Sequence, residues 1–273
     1  MKSVLTIAGS DCSSGAGIQA DLKTFLMHRV YGMSVITALT AQNTTGVYGV
    51  AETEPAFLAK QLDCVFQDIF PDAVKIGMMP SVQAVQVTAE KLRQYQARHI
   101  VIDPVMVSTS GRWLMSVQAV TAVQRGLFPL AEVITPNLPE AEALIGHSIR
   151  SRAETEAVAA ELSQRYGCAV LLKGGHRATD ADDLLWQNGQ GTWFPGGKVE
   201  NPNAHGTGCT LSSAIAANLA NGLELPQAVE EAKAYLTAAL KAGLDLGQGN
   251  GPMDHTLGGT RLWRKNETNR SLF

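Results

Sequence analysis

The sequence predicts an α/β protein: a single domain of three layers, in which helices cover both faces of a mostly parallel central sheet with a small hairpin at its edge. Three observations carry this. Short apolar, β-branched runs alternate with longer helical patterns, the signature of βαβ units. No repeat, low-complexity tract or long Gly/Pro/Ser linker divides the 273 residues. Their 45% apolar and 17% charged content is that of a globular, core-forming chain.

Six runs read as strands: SVLTIA (3–8), SVITAL (34–39), AVKIG (73–77), HIVID (99–103), EVITP (132–136) and AVLLK (169–173). Between them lie helical patterns near 16–29, 54–69, 80–97, 116–126, 138–145 and 152–165. Five of the six runs end in polar or glycine-rich turns and the sixth in TPNLPEAE. In sheets of this kind ligands bind at those carboxyl ends. From residue 182, DDLLWQNGQGTWFPG reads as two short strands around an Asn-Gly turn. Leu211, Ile215 and Leu219 then recur every four residues up to Gly222, one apolar stripe of a helix, and a last helix covers about 225–245. The domain is read as 1–255, followed by a polar, basic and frayed tail at 256–273.

Charge and composition narrow the partners. A net charge of −3 without a long basic run argues against nucleic acid and anionic membranes, which leaves a small molecule. Neither a signal-peptide core nor a stretch of ~18 apolar residues occurs, so the protein is read as cytoplasmic. Cys12, Cys64, Cys168 and Cys209 lack CxxC spacing and indicate neither a zinc site nor a disulfide framework.

The chemistry gathers at the predicted strand ends. Cys209 falls in the first turn of its helix, behind Gly206 and Gly208, where backbone N–H groups without intrahelical partners attract an anion. The same partial positive charge favours a thiolate, which predicts a lowered thiol pKa and a base or nucleophile; a small buried cysteine in a shaped loop is the alternative. GAGIQA (15–20) fits the G-x-G-x-x-G/A dinucleotide fingerprint, but LTAQNT, after the second strand, lacks the ribose-binding acid, and no P-loop occurs. Asp103 and Glu140 at neighbouring strand ends suit Mg²⁺, or else a capped turn and a helix N-terminus. Lys173 is placed to meet a phosphate, or is a solvated strand end. Asp21 and Gln42 are placed to read the polar edge of a small substrate, or are an exposed helix residue and a loop amide.

Taken together, LTIAGSDCSSGAGIQADLKT, GMSVITALTAQNTTGV, KIGMM, VIDPVM, VITPNLPEA, LLKGGH and HGTGCTLSSAIAANLA, in this order from residue 5 to 220, resemble the hydroxymethylpyrimidine/phosphomethylpyrimidine kinases of thiamine biosynthesis, in the ribokinase-like superfamily. The resemblance implies transfer of phosphoryl groups from ATP, with Mg²⁺, to 4-amino-5-hydroxymethyl-2-methylpyrimidine and then to its monophosphate, by a homodimer. It makes Gly206, Thr207, Gly208 and Cys209 the anion hole, with Cys209 as general base. Asp103 and Glu140 would organise the metal, and Asn137 and Lys173 would touch nucleotide phosphates. His205 would assist phosphate binding or serve as a structural histidine. Gly9, Asp21, Gln42 and Met78 would line the pyrimidine pocket. Two positions depart from the family pattern: Ser14 stands where a glycine is usual, and Ala204 where a threonine is common.

Three rivals remain. Pyridoxal kinases share the scaffold, so pyridoxal phosphorylation, or dual activity, is the sibling reading. A cysteine acyl-transfer enzyme would pair Cys209 with His205 but lacks an evident third residue. A non-catalytic pyrimidine binder would need neither Cys209 nor the two carboxylates. The polar loops 105–112 and 175–183 are expected to include a lid over ATP.

Overall fold

In a computed structural model of the chain, residues 1–106, 115–175, 181–197 and 199–258 are described. The strands are β1 (Ser3–Asp11), β2 (Tyr31–Asn43), β3 (Gly46–Glu52), β4 (Ala73–Ile76), β5 (Ile100–Ile102), β6 (Val133–Ile134), β7 (Ala169–Leu172), β8 (Asp183–Gln187) and β9 (Gln190–Phe194). The helices are α1 (Gly17–Met27), α2 (Pro55–Asp68), α3 (Val82–Gln94), α4 (Val117–Gly126), α5 (Leu138–Ile145), α6 (Arg152–Tyr166), α7 (Thr207–Ala220), α8 (Leu225–Lys241) and the short α9 (His255–Gly258).

One sheet runs in the order β3-β2-β1-β4-β5-β6-β7-β8-β9. It is parallel from β2 to β7 and antiparallel at both edges. The central strands are buried on both faces, and alternate side chains serve two cores. Leu5, Ile7, Val74, Ile76 and Ile102 pack with α2, α3, α4, α5 and α6. Val4, Ala73, Val101 and Val133 pack with α1, α7 and α8. This doubly covered sheet is the expected three-layer architecture, and it explains why the strands read as continuous apolar runs.

Local chemistry sets the element ends. Ser81, Ser116 and Ser151 cap α3, α4 and α6 by accepting first-turn N–H groups. The expected hairpin forms between β8 and β9, with Asn188 and Gly189 both at positive φ (51° and 76°), as a type I′ turn requires.

Two stretches differ from expectation. β2 runs from Tyr31 to Asn43, well beyond SVITAL, and pairs antiparallel with β3, a strand without a counterpart in the six runs. β3 is an edge strand whose Tyr48 and Val50 stay exposed, so it lacks the apolar run that marks a buried strand. At the expected domain boundary α9 begins with His255, and residues 259–273 of the expected tail lie outside the described residues.

β1 is flanked on one side by β2, which follows it through α1, and on the other by β4, which the chain reaches from β3 through α2, leaving a crevice at the carboxyl ends of these strands. Two bulges sit there. The register shifts between Ala8 and Ser10 in β1, and between Ala41 and Gln42 in β2. Bulges re-aim side chains, and these two re-aim the strands at Gly9 and Gln42.

Candidate active site

α7 packs across β1, β4 and β5, so its N-terminus arrives over their carboxyl ends. Gly206 is the N-cap at φ +85°, and a Cβ there would lie 2.0 Å from the Gly15 carbonyl oxygen. Only glycine fits. Thr207, Gly208 and Cys209 then form the first turn, whose N–H groups lack partners within the helix. A Cβ on Gly208 would meet Asp103 Oδ2 at 3.0 Å and Lys173 Nζ at 3.3 Å. The cation and the carboxylate therefore reach the helix terminus itself.

Lys173 Nζ donates to Asp103 Oδ1 at 2.7 Å, and Thr135 Oγ1 donates to the same oxygen at 3.2 Å. Asn137 and Glu140 form a reciprocal capping box on α5: Glu140 N–H donates to Asn137 Oδ1 (2.8 Å) and Asn137 N–H to Glu140 Oε2 (2.9 Å). Burial pushes the Glu140 carboxyl up to about 7, against the pull of Lys173 and with the push of Asp103. Among the described residues no group of three or more His, Cys, Asp or Glu is arranged to hold a metal. Two buried carboxylates that repel one another nevertheless fit Mg²⁺, which takes hard oxygen ligands and keeps most of its waters.

Thirteen residues were expected at the site. Twelve line one cavity of 840 Å³: Gly9, Gln42, Met78, Asp103, Asn137, Glu140, Lys173, His205, Gly206, Thr207, Gly208 and Cys209. Within it Met78 touches Gly9 so closely that a Cβ on Gly9 would lie 2.9 Å from Met78 Cε. Another part is walled by Pro139, Ala143, Val199, Leu236 and Leu240, an apolar slot suited to a planar base.

Asp21 is the exception. It is fully buried beneath the cleft, where Lys75 Nζ lies 2.9 Å from both carboxylate oxygens, Thr6 Oγ1 donates at 2.6 Å and Ser213 Oγ at 2.7 Å. It touches no part of the cavity because it points from α1 into the layer under α7, so its expected contact with substrate is withdrawn. The expected lowering of the Cys209 thiol is also corrected. Burial dominates and pushes it up to about 11, while Lys75 pulls the other way and Asp21 and Asp103 add to the rise. His205 sits between Asp11 and Gln42 in the wall of the cavity. Parts of both loops expected to close over ATP, 107–112 and 176–180, lie outside the described residues.

Sequence reasoning missed Asp11, Lys75 and Ser213. A lysine inside the four-residue apolar strand AVKI, and an acid on the Ile18–Asp21–Phe25 stripe of α1, were the signals: each buried charge requires a partner.

Fold, strand order and cleft define the chain as a ribokinase-like phosphotransferase. Comparison with known proteins says which. The phosphomethylpyrimidine kinase family model matches residues 11–254, and the chain belongs to that family. A hydroxymethylpyrimidine/phosphomethylpyrimidine kinase of Rhizobium meliloti is 49% identical over 255 residues, 92% of this chain and 96% of that protein. The thiamine biosynthesis bifunctional protein ThiED of Geobacter sulfurreducens is 48% identical over 93% of this chain, which spans only 52% of that protein's length. Among solved structures, an ADP complex of Bacillus subtilis pyridoxal kinase matches with a TM-score of 0.87 at 35% identity, covering 96% of this chain and 99% of that one.

Proposed function

We propose that this protein transfers the γ-phosphoryl group of ATP to the hydroxymethyl oxygen of 4-amino-5-hydroxymethyl-2-methylpyrimidine, and then phosphorylates the monophosphate to the pyrophosphate, in thiamine diphosphate biosynthesis. One observation carries the reading. The glycine-capped terminus of α7 presents Cys209 to the same cavity that Gly9, Gln42 and Met78 line, and its Gly208 lies against the Asp103–Lys173 pair.

In this mechanism the pyrimidine occupies the Gly9, Gln42 and Met78 end, and the adenine the apolar slot. Lys173 and Asn137 hold nucleotide phosphates, and the Gly206–Cys209 turn receives the phosphoryl group in transit, its N–H groups stabilising the developing charge. Cys209 as thiolate takes the hydroxyl proton while the new O–P bond forms and the bond to the leaving ADP oxygen breaks. Asp103 and Glu140 would hold Mg²⁺, which when bound neutralises phosphate charge. A thiol raised by burial makes the thiolate scarce at neutral pH. The rate therefore rises with pH across the neutral range, and a kcat–pH profile that falls there would remove the thiolate from the mechanism.

The same reading makes the protein a cytoplasmic homodimer with no nucleic-acid or membrane partner. Exposed Leu39, Tyr48 and Val50 on the β2–β3 edge support self-association, and no described helix is long and apolar enough to cross a membrane. Pyridoxal is the second substrate to consider, favoured by the likeness of the whole fold to a pyridoxal kinase. Incubation with Mg-ATP and each of hydroxymethylpyrimidine, its monophosphate and pyridoxal, with products identified by mass, tests both readings. A pyrophosphorylated pyrimidine is expected, while pyridoxal phosphate as the sole product would overturn the pyrimidine assignment. Cys209→Ala should abolish turnover and keep ATP binding; wild-type turnover would exclude Cys209 as the base.

A further inference from the structure

One ring nitrogen, His205 Nε2, stands between a carboxylate and an amide. His205 Nε2 lies 3.1 Å from Asp11 Oδ2 and 3.0 Å from the Gln42 amide nitrogen, and all three residues line the cavity. Asp11 Oδ2 also accepts from the Gly15 and Ala16 N–H groups (3.1 and 2.9 Å), and Oδ1 accepts from Ser13 N–H and Oγ (2.9 and 2.7 Å). Burial alone would favour its neutral form, but His205 and these donors hold the carboxyl down at about 2. Asp11 is thus a carboxylate, which only accepts, and its contact with His205 requires a proton on Nε2.

A protonated Nε2 has no lone pair for an amide N–H. The two ends of an amide have the same shape and are told apart by their partners. With the ends of Gln42 exchanged, Oε1 accepts from His205 Nε2–H, and the amide nitrogen donates to Thr40 Oγ1. That hydroxyl is 3.2 Å from the other end of the amide and itself donates to the Ser10 carbonyl at 3.0 Å. The one Nε2–H is then shared between Asp11 Oδ2 and Gln42 Oε1, and no donor faces another donor.

The ring is held in place. A Cβ on Gly15 would lie 2.3 Å from His205 Cδ2, and the His205 N–H donates to the Gly251 carbonyl at 3.2 Å. Gly15 therefore serves to seat this imidazole, which accounts for the first glycine of a pattern that resembles a dinucleotide fingerprint.

We propose that the Asp11–His205 pair orients the Gln42 amide, and that this orientation selects an aminopyrimidine over a pyridine. It rests on the pyrimidine reading of the site. One amide N–H and one Oε1 lone pair remain for the cavity, side by side. They match a ring nitrogen next to an exocyclic amino group, an acceptor beside a donor, whereas a ring hydroxyl at that edge offers one atom for both. His205 acts as a positioning residue through Gln42.

Two measurements test this. In the wild-type protein, ¹⁵N shifts of the His205 ring should show a protonated Nε2, and an unprotonated Nε2 beside Asp11 overturns the proposal. The second uses His205→Phe, which keeps a ring without the donor, and His205→Gln, whose side-chain nitrogen stands near the position of Nε2. H205F should raise KM for hydroxymethylpyrimidine about tenfold or more and lower its kcat/KM relative to pyridoxal by a similar factor, with the KM for ATP little changed; H205Q should restore much of the preference. An unchanged preference in H205F, or equal losses in both variants, overturns it. Should H205F not fold, the ring shifts and H205Q decide. A wild-type protein that phosphorylates pyridoxal but not the pyrimidine overturns the substrate reading, and the selectivity claim with it, independently of the ring shifts.

Discussion

Two carboxylate–lysine pairs approach the first turns of α7, and they differ in what completes them. Asp21 and Lys75 are sealed, with both side chains at 0% exposure, and Thr6 and Ser213 fill the remaining acceptor sites of Asp21. Asp103 and Lys173 are nearly as buried, at 3% and 14%, yet both open onto the cavity. A sealed pair has its desolvation offset by fixed neighbours and can do no more than hold shape and potential. A pair at the cleft keeps hydrogen-bonding capacity that a ligand can use. The same two residue types thus serve as framework in one place and stand open to a ligand in the other.

The comparison can be broken at its strongest point. Lys75→Met leaves Asp21 buried without its cation and should cost about 3–5 kcal/mol of stability in urea unfolding, and the double variant Asp21→Asn/Lys75→Met should recover most of it. A single variant as stable as the wild type would erase the distinction. Lys173→Met should reverse the pattern: kcat/KM falls about 10²–10³-fold while the unfolding midpoint moves far less than in Lys75→Met.

A third contact, the Asp11 carboxylate with His205, sharpens the contrast through pH. Its folded pKa, about 2, lies below the ordinary 3.8. Its contribution is therefore present above pH ~4 and is lost as pH falls from there towards 2, about 2 kcal/mol in all. Asp11→Asn should flatten that part of the acid-unfolding curve, and an identical slope would show that the carboxylate is not held this way. The smallest effect is expected at Ser14, a residue other than glycine at φ +71°. Ser14→Gly should relieve the left-handed strain and lose some of that gain to chain entropy, a net gain of about 0.5 kcal/mol. A fall in thermal stability would mean that the serine hydroxyl contributes more than its backbone costs.

What could be read in advance follows from burial. The strands that serve two cores appear as apolar runs, and their carboxyl ends carry seven of the twelve expected residues that line the cleft, the other five standing at the start of α7. β3 was not legible because its Tyr48 and Val50 face outward at the sheet edge, so no apolar run marks it. Asp21 was misplaced because a sequence shows that an acid follows a strand but not which way it turns; its place on a buried stripe of α1 was the better guide. The Cys209 thiol was misjudged because the helix terminus is visible in sequence, whereas the burial that outweighs it arises only in three dimensions.

The seat of His205 on Gly15 carries one more consequence, for synthesis. The contact between Asp11 and His205 joins positions 194 apart, and that between Asp21 and Ser213 joins positions 192 apart. The amino-terminal strand and helix leave the ribosome long before α7 exists, holding a buried acid and a vacant glycine ledge. Neither can be completed until more than two hundred residues have emerged. Long-range closure of this kind is slow and comes late in folding. Chains stopped short of α7 should therefore remain open, sticky and without a binding cleft.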